Sequence, residues 1–306
     1  MIEFTDLVDL ASARLGGSVI EANDEFLAAK DNLVMDTPAE WREGEYTERG
    51  KWMDGWETRR RREPGYDWAI VRLGLPGIIK GVVVDTAFFR GNFPESCSIE
   101  VREGDGEWKE VLGKSVLQGD TKNEFAINHP HRVTHLRLNI FPDGGVARLR
   151  VHGEPTPDWA KLAKRGEIDL AAVENGARVI EASDMFFGHR HNLIMPGRGV
   201  NMGDGWETKR RRGPGNDWVV VKLGHKGTVE RVVVDTIHFK GNAPGSCRLE
   251  AGDGEQWTEV LPMTKLLPDS LHEFELQGGA EYSHVRLSIY PDGGVSRLRV
   301  FGRVKG

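Results

Sequence analysis

The chain has 306 residues, of which 39% are hydrophobic and 29% charged, with a formal net charge of −6. That is the make-up of a folded globular protein long enough for about two domains of ~150 residues each. It argues against a nucleic-acid binder, which usually presents a basic domain, and no run approaches the ~20 apolar residues of a membrane span.

The opening Met1-Ile2-Glu3-Phe4-Thr5-Asp6 has neither a basic n-region nor an apolar h-region. Cys97 and Cys247 are the only cysteines and stand 150 positions apart. With no disulfide framework, a reducing, cytoplasmic setting is expected.

In chain order, Val19-Ile20-Glu21-Ala22 comes first and returns as Val179-Ile180-Glu181-Ala182, an offset of 160. Asn32-Leu33 returns as Asn192-Leu193. The offset then falls to 150, which places an insertion around Asp36 to Arg49 in the first copy, where a loop would lengthen one mouth of that domain alone. Asp54-Gly55-Trp56-Glu57-Thr58-Arg59-Arg60-Arg61-Arg62 returns as Asp204-Gly205-Trp206-Glu207-Thr208-Lys209-Arg210-Arg211-Arg212. Each block then runs through a Pro-Gly turn to Asp67-Trp68 or Asp217-Trp218. Ala69, Val71 and Leu73 alternate with Trp68, Ile70 and Arg72 as in a half-buried strand. Val82 to Val84 is apolar on both faces, as in a central strand.

Gly91-Asn92 returns as Gly241-Asn242, and Gly104-Asp105-Gly106 and Gly252-Asp253-Gly254 read as hairpin turns. Leu136, Leu138 and Ile140 form one strand face. After Pro142-Asp143-Gly144-Gly145, Ala147, Leu149 and Val151 form the next, with Arg148 and Arg150 opposite. The turn recurs from Pro291, with Arg297 at the place of Arg148. Between the copies, Pro155 and Pro157 open a linker in which Asp158 caps a short helix. The expected division is a first domain over 1–153, a linker over 154–165 and a second domain over 166–306. Two copies of many short strands with Gly-rich turns predict an all-β protein of two tandem homologous jelly-roll β-sandwiches.

A duplicated fold needs its apolar pattern repeated, whereas the core tolerates swaps of similar volume. Acid, arginine and tryptophan kept together twice therefore point to chemistry. Glu57 and Glu207 are candidate general acids if burial raises their pKa, with Asp67 and Asp217 as candidate bases, ahead of Asp85 and Asp235. The competing reading makes Trp56 a plug under a loop and pairs Glu57 with a neighbouring arginine. Arg60, Arg62, Arg210 and Arg212 share strand faces and suit bidentate recognition of a small carboxylate; the remaining arginines of each run are expected to be solvated or paired with Asp67 and Asp217. Trp56, Trp206, Asn92, Asn242, Arg148 and Arg297 complete the substrate-binding candidates. Arg148 and Arg297 are expected to point away from the core and to pair with Asp143 and Asp292 at a sandwich mouth. His189 and His191 would share one face of a strand, and with His238 they are weak candidates for a divalent metal; no cofactor is otherwise indicated.

Taken together, the Asn-Leu pairs, the Asp-Gly-Trp-Glu-Thr blocks, Val-Asp-Thr, Gly-Asn and the closing Pro-Asp-Gly-Gly-Val-x-Arg-Leu-Arg-Val resemble the allantoicase (allantoate amidinohydrolase) family over nearly the whole chain. The resemblance implies tandem jelly rolls similar to galactose-binding modules. It also implies hydrolysis of allantoate to ureidoglycolate and urea, a nitrogen-releasing step of purine-derived ureide breakdown, with allantoate as the partner and neither nucleic acid nor membrane. A homo-oligomer is compatible with it. It transfers no catalytic residue. From the residues themselves, an arginine such as Arg60 or Arg210 would hold the carboxylate. Glu57 or Glu207 would protonate the departing urea, Asp67 or Asp217 would take a proton, and an acyl-imine would form. The rival class is a non-catalytic tandem module binding a small anion or carbohydrate, since fold alone does not settle function. Whether one repeat holds the site, or both share it, is open at this level.

Overall fold

A computed structural model of the protein describes residues 3–277 and 279–304. The outermost residues of the two expected domains, 1–2 and 305–306, lie outside the described residues. The chain divides into two compact units, Met1–Thr156 and Pro157–Gly306. Pro155 ends the strand Arg148–Pro155, and the Asp158 side chain accepts from the Lys161 N–H to cap the helix Trp159–Ala163. No described helix is long and apolar enough to cross a membrane.

Each unit is a jelly-roll sandwich of antiparallel strands. In the first, the 19-residue strand Asp67–Asp85 serves both layers. Its leading half pairs with Ser18–Ala22 and Val133–Phe141, and its trailing half with Arg148–Pro155 and Lys122–Ala126. In the second unit the same run is broken into Asp217–Thr228 and Arg231–Asp235. Among the described residues the layers then separate into a five-stranded and a four-stranded sheet.

The alternation read from sequence is the alternation that packs. Ala69, Val71, Leu136, Leu138, Ile140, Leu149 and Val151 are wholly buried, and Val82 to Val84 is buried on both faces. Burying a side chain of this size stabilises by roughly 1.5–3 kcal/mol, which fixes the strand register. Cys97 and Cys247 are buried, unpaired thiols, and burial pushes each up to about 12.

At one end of each sandwich the short strand Trp56–Glu57 pairs with Gly145–Val146, and Trp206–Glu207 with Gly294–Val295. Glu57 also bridges to Ala28, so three segments meet at its backbone. This meeting needs glycine at 145. A Cβ there would lie 1.9 Å from the Phe89 ring, itself fully buried. Replacing Gly145 with alanine is expected to cost about 1–3 kcal/mol by overpacking, seen as a lower urea midpoint for the first unit. An unchanged midpoint would show that Phe89 can give way.

Candidate active site

The duplicated Asp-Gly-Trp-Glu-Thr block is largely a set of mutual fastenings. Trp56 and Trp206 are wholly buried, and their indole N–H groups donate to the carbonyls of Asp24 and Asp184 at 2.7 and 2.8 Å. The expectation that they bind substrate is corrected: they plug the core beneath a loop. Asn32 and Asn192 donate to the carbonyls of Gly55 and Gly205, and the Thr58 hydroxyl accepts from the Gly144 N–H. Asp67 is buried and accepts from Arg61 at 2.6 Å and from Asn23 at 2.8 Å. Asp217 is likewise held by Arg211 and Ser183. These aspartates fasten the arginine runs, and Asp67 is not among the residues lining the cavity around Glu57. Asp85 and Asp235 accept backbone N–H groups of Ala87 and Ile237 and so close local turns.

Arg60, Arg62, Arg210 and Arg212 are exposed on irregular chain rather than on strands, and neither Arg60 nor Arg62 lines that cavity. Arg148 and Arg297 overturn their expectation. They do lie opposite the core-facing leucines, but that face is covered, leaving them 1% and 2% exposed. Arg148 pairs with Asp54 at 2.7 Å and donates to the carbonyls of Thr37, Pro38, Asp54 and Ala147. Arg297 does the same with Asp204 and the carbonyls of Gly197, Asp204 and Ser296. Asp143 and Asp292 instead accept from the backbone N–H groups of Arg61 and Arg211. Sequence alternation identifies the face but cannot show that a returning loop covers it.

His189 and His191 lie side by side, with ring centroids 4.7 Å apart, in a 3-10 turn rather than on a strand. His189 caps that turn by accepting from the His191 N–H. His238 bonds the Gly199 carbonyl and does not join them within ligand distance.

Of the predicted candidates, Glu57 and Asn92 come together in the first repeat. Both line a cavity of about 450 Å³. Asn92 Nδ2 donates to Glu57 Oε1 at 2.8 Å. Glu57 is 7% exposed, and burial raises its carboxyl above the ordinary glutamate value, while the Asn92 hydrogen bond pulls partly the other way. The first cause favours the neutral acid and the second the anion, so the carboxyl is held protonated to higher pH while remaining able to ionise.

Apart from Gly91, the other walls are residues that sequence reasoning missed. Trp41, Lys51 and Met53 come from the insertion and its return, Leu27 from the opposite rim, and Phe88, Arg90 and Gly91 from the segment leading to Asn92. Trp41 packs on Phe88 with centroids 5.9 Å apart, and the Lys51 ammonium sits 4.1 Å from the Trp41 ring. Phe88 holds a left-handed φ of 68°, secured by its N–H donating to Asp120; such backbone strain in a bulky residue is characteristic of ligand sites. Arg90 bonds Asp120 through Nε and is 78% exposed. Two cations, a buried acid, an amide and aromatic walls suit a small anion with polar amide-like groups. The offset change from 160 to 150 was the available signal, because it marked where this wall is added.

In the second repeat Asn242 and Glu207 form the same bond at 2.5 Å. Glu207 is less buried, and the shorter loop forms the 3-10 turn Met202–Asp204 there.

Comparison with known proteins agrees with this architecture. The Allantoicase repeat family matches residues 8–156 and 168–305. The probable allantoicase of Pseudomonas syringae pv. syringae is 50% identical over 322 residues, covering 98% of this chain and 97% of that protein. That of Photobacterium profundum is 49% identical over 322 residues, covering 98% of each. The crystal structure of allantoicase from Saccharomyces cerevisiae is similar with a TM-score of 0.84 and 39% identity, covering 96% of this chain and 92% of that one.

The buried guanidinium predicts a stability effect. Arg148→Ala strands the Asp54 carboxylate and several carbonyls, and breaking a buried pair in this way costs about 3–5 kcal/mol. Arg148→Lys should recover little, because an ammonium cannot reproduce the planar fork. Urea unfolding of the first unit measures both, and a loss below about 1 kcal/mol for the alanine variant would contradict the assignment.

Proposed function

The chain belongs to the allantoicase family, and we propose that its reaction, the hydrolysis of allantoate to ureidoglycolate and urea, runs in the first repeat with Glu57 as the proton carrier. The protein is an amidinohydrolase acting on a ureide C–N bond, with allantoate as its substrate. The single observation that carries the placement is the buried Glu57 carboxyl, raised by desolvation, facing a cavity walled by Arg90, Lys51 and Asn92.

Allantoate is a carboxylate whose α-carbon carries two ureido groups. The Arg90 and Lys51 charges attract the carboxylate, and the guanidinium offers it a bidentate fork. Asn92 uses one amide hydrogen on Glu57 and has a second for a ureido carbonyl. Trp41 and Phe88 exclude water from one side, which strengthens each polar contact within.

The protonated Glu57 gives its proton to the departing ureido nitrogen as the bond from that nitrogen to the α-carbon breaks. The lone pair of the remaining ureido nitrogen moves in to form the C=N bond of an acyl-iminium, and urea leaves. Water then adds to the α-carbon, and the Glu57 carboxylate takes the proton that the water loses. The residue returns to its starting state, and the products are ureidoglycolate and urea. One carboxyl serves both halves, so Asp67 is left to its structural pairing.

General acid catalysis is worth about 10²–10⁴-fold. Glu57→Gln keeps the shape and the Asn92 contact and is expected to lower kcat, followed as urea release, by about that factor. The same change at Glu207 should cost less than about tenfold. Because the starting state is the protonated acid, kcat of the unmodified chain should be high below the raised Glu57 pKa and fall as pH climbs through it. Full kcat in folded Glu57→Gln, or a rate that rises with pH over that interval, would reject the assignment.

A further inference from the structure

We propose that the second repeat holds its own ligand site, centred on Glu207 and Asn242, which binds a small ureide anion without turning it over. The ligand class rests on the reading of the first repeat given above.

Most of the duplicated polar residues are consumed by the fold. Trp206, Thr208, Asp217 and Arg297 each fasten one segment to another. The Glu207–Asn242 bond differs. It joins a side chain of the short strand Trp206–Glu207 to a loop side chain at the half-buried rim, where the Asn242 amide also meets the Met202 sulfur at 3.8 Å and its backbone carbonyl accepts from the Gly294 N–H. The Glu207 backbone already carries the segment by pairing with Gly188 and Gly294, so the strand does not depend on the single bond from Asn242 to the carboxylate.

Around that pair the surface has the marks of a small-molecule site, a few placed polar groups flanked by apolar faces. Phe187 stands where Leu27 stands in the first repeat and is 62% exposed. Met202 stands at the place of Trp52 and is 45% exposed. Lys240 replaces Arg90, with its ammonium 3.9 Å from Asp269 and its side chain 78% exposed. His238 replaces Phe88, holds the same left-handed backbone at φ 75°, and ties down the short loop through the Gly199 carbonyl.

The chemistry fits a ureido group. Its N–H groups can donate to the second Glu207 oxygen, its carbonyl can accept the second Asn242 amide hydrogen, and Lys240 can attract an attached carboxylate. Phe187 and Met202 can cover its flat faces. Turnover is not expected, because Trp41 lies in the insertion, which this repeat lacks, and Asn201 and Gly203 stand where the first repeat has Lys51 and Met53. The second repeat therefore keeps the recognition pair without the enclosure that buries Glu57.

The test is equilibrium dialysis of radiolabelled allantoate against the full chain carrying Glu57→Gln, which suppresses turnover. About two equivalents per chain are expected. Adding Glu207→Ala or, as a shape-preserving second variant, Asn242→Asp should remove one equivalent, with circular dichroism confirming the fold of each. Stoichiometry unchanged by both additions overturns the proposal. Urea release by the unmodified chain is measured in parallel. If it is absent, the catalytic reading fails on its own, whatever the stoichiometry.

Discussion

A guanidinium sealed between a sheet and the loop that returns across it sets the geometry of each repeat. Arg148 spends its donors on the Asp54 carboxylate and on carbonyls near both ends of the insertion, Thr37 and Pro38 at its start and Asp54 after it. Arg297 does the same for the shorter loop from Gly197 to Asp204. A buried arginine persists only when every donor is met, so the loop ends are held at fixed points whatever lies between them. The two repeats share the clamp and differ in what it grips.

That difference separates an enclosed site from an open one. In the first repeat the gripped segment is long enough to contribute Trp41, Lys51 and Met53 to the cavity that Glu57 also lines. Burial raises the carboxyl above its ordinary value while the Asn92 hydrogen bond opposes the rise, and on the proposed reading the inserted segment supplies that burial. In the second repeat the segment ends in the turn Met202–Asp204, and Glu207 stays at a half-open rim with the same amide partner. On the proposed reading, catalytic capacity follows from loop length acting through desolvation, with the acid itself common to both copies.

The fold was legible because period-two burial and paired glycine turns leave a direct trace in the residues. Leu136, Leu138 and Ile140 had no other reading, and the tandem jelly rolls followed. The site was legible only in part. Glu57 was identifiable because an acid recurs inside the duplicated Asp-Gly-Trp-Glu-Thr block, and Asn92 because its Gly-Asn pair recurs. Trp56, Arg148 and Asp67 misled for one reason: polar residues recur in a duplication when they satisfy one another in the interior as readily as when they meet a ligand. Trp41 could not be read because it lies in a segment that only the first repeat contains, and Lys51 and Arg90 because nothing in the sequence sets them apart from other surface charges. The informative mark was the change of offset, which located the added segment without showing that it folds back over the acid.

The central claim is that the insertion desolvates Glu57. The direct measurement is the titration of the Glu57 carboxyl by ¹³C NMR, assigned by comparison with Glu57→Gln, in the full chain and in a variant whose segment from Asp36 to Met53 is replaced by the second repeat's shorter one. The account predicts a midpoint above the ordinary glutamate value in the unmodified chain that falls back toward it when the segment is shortened. An ordinary midpoint in the unmodified chain, or a raised one that survives the shortening, would contradict it.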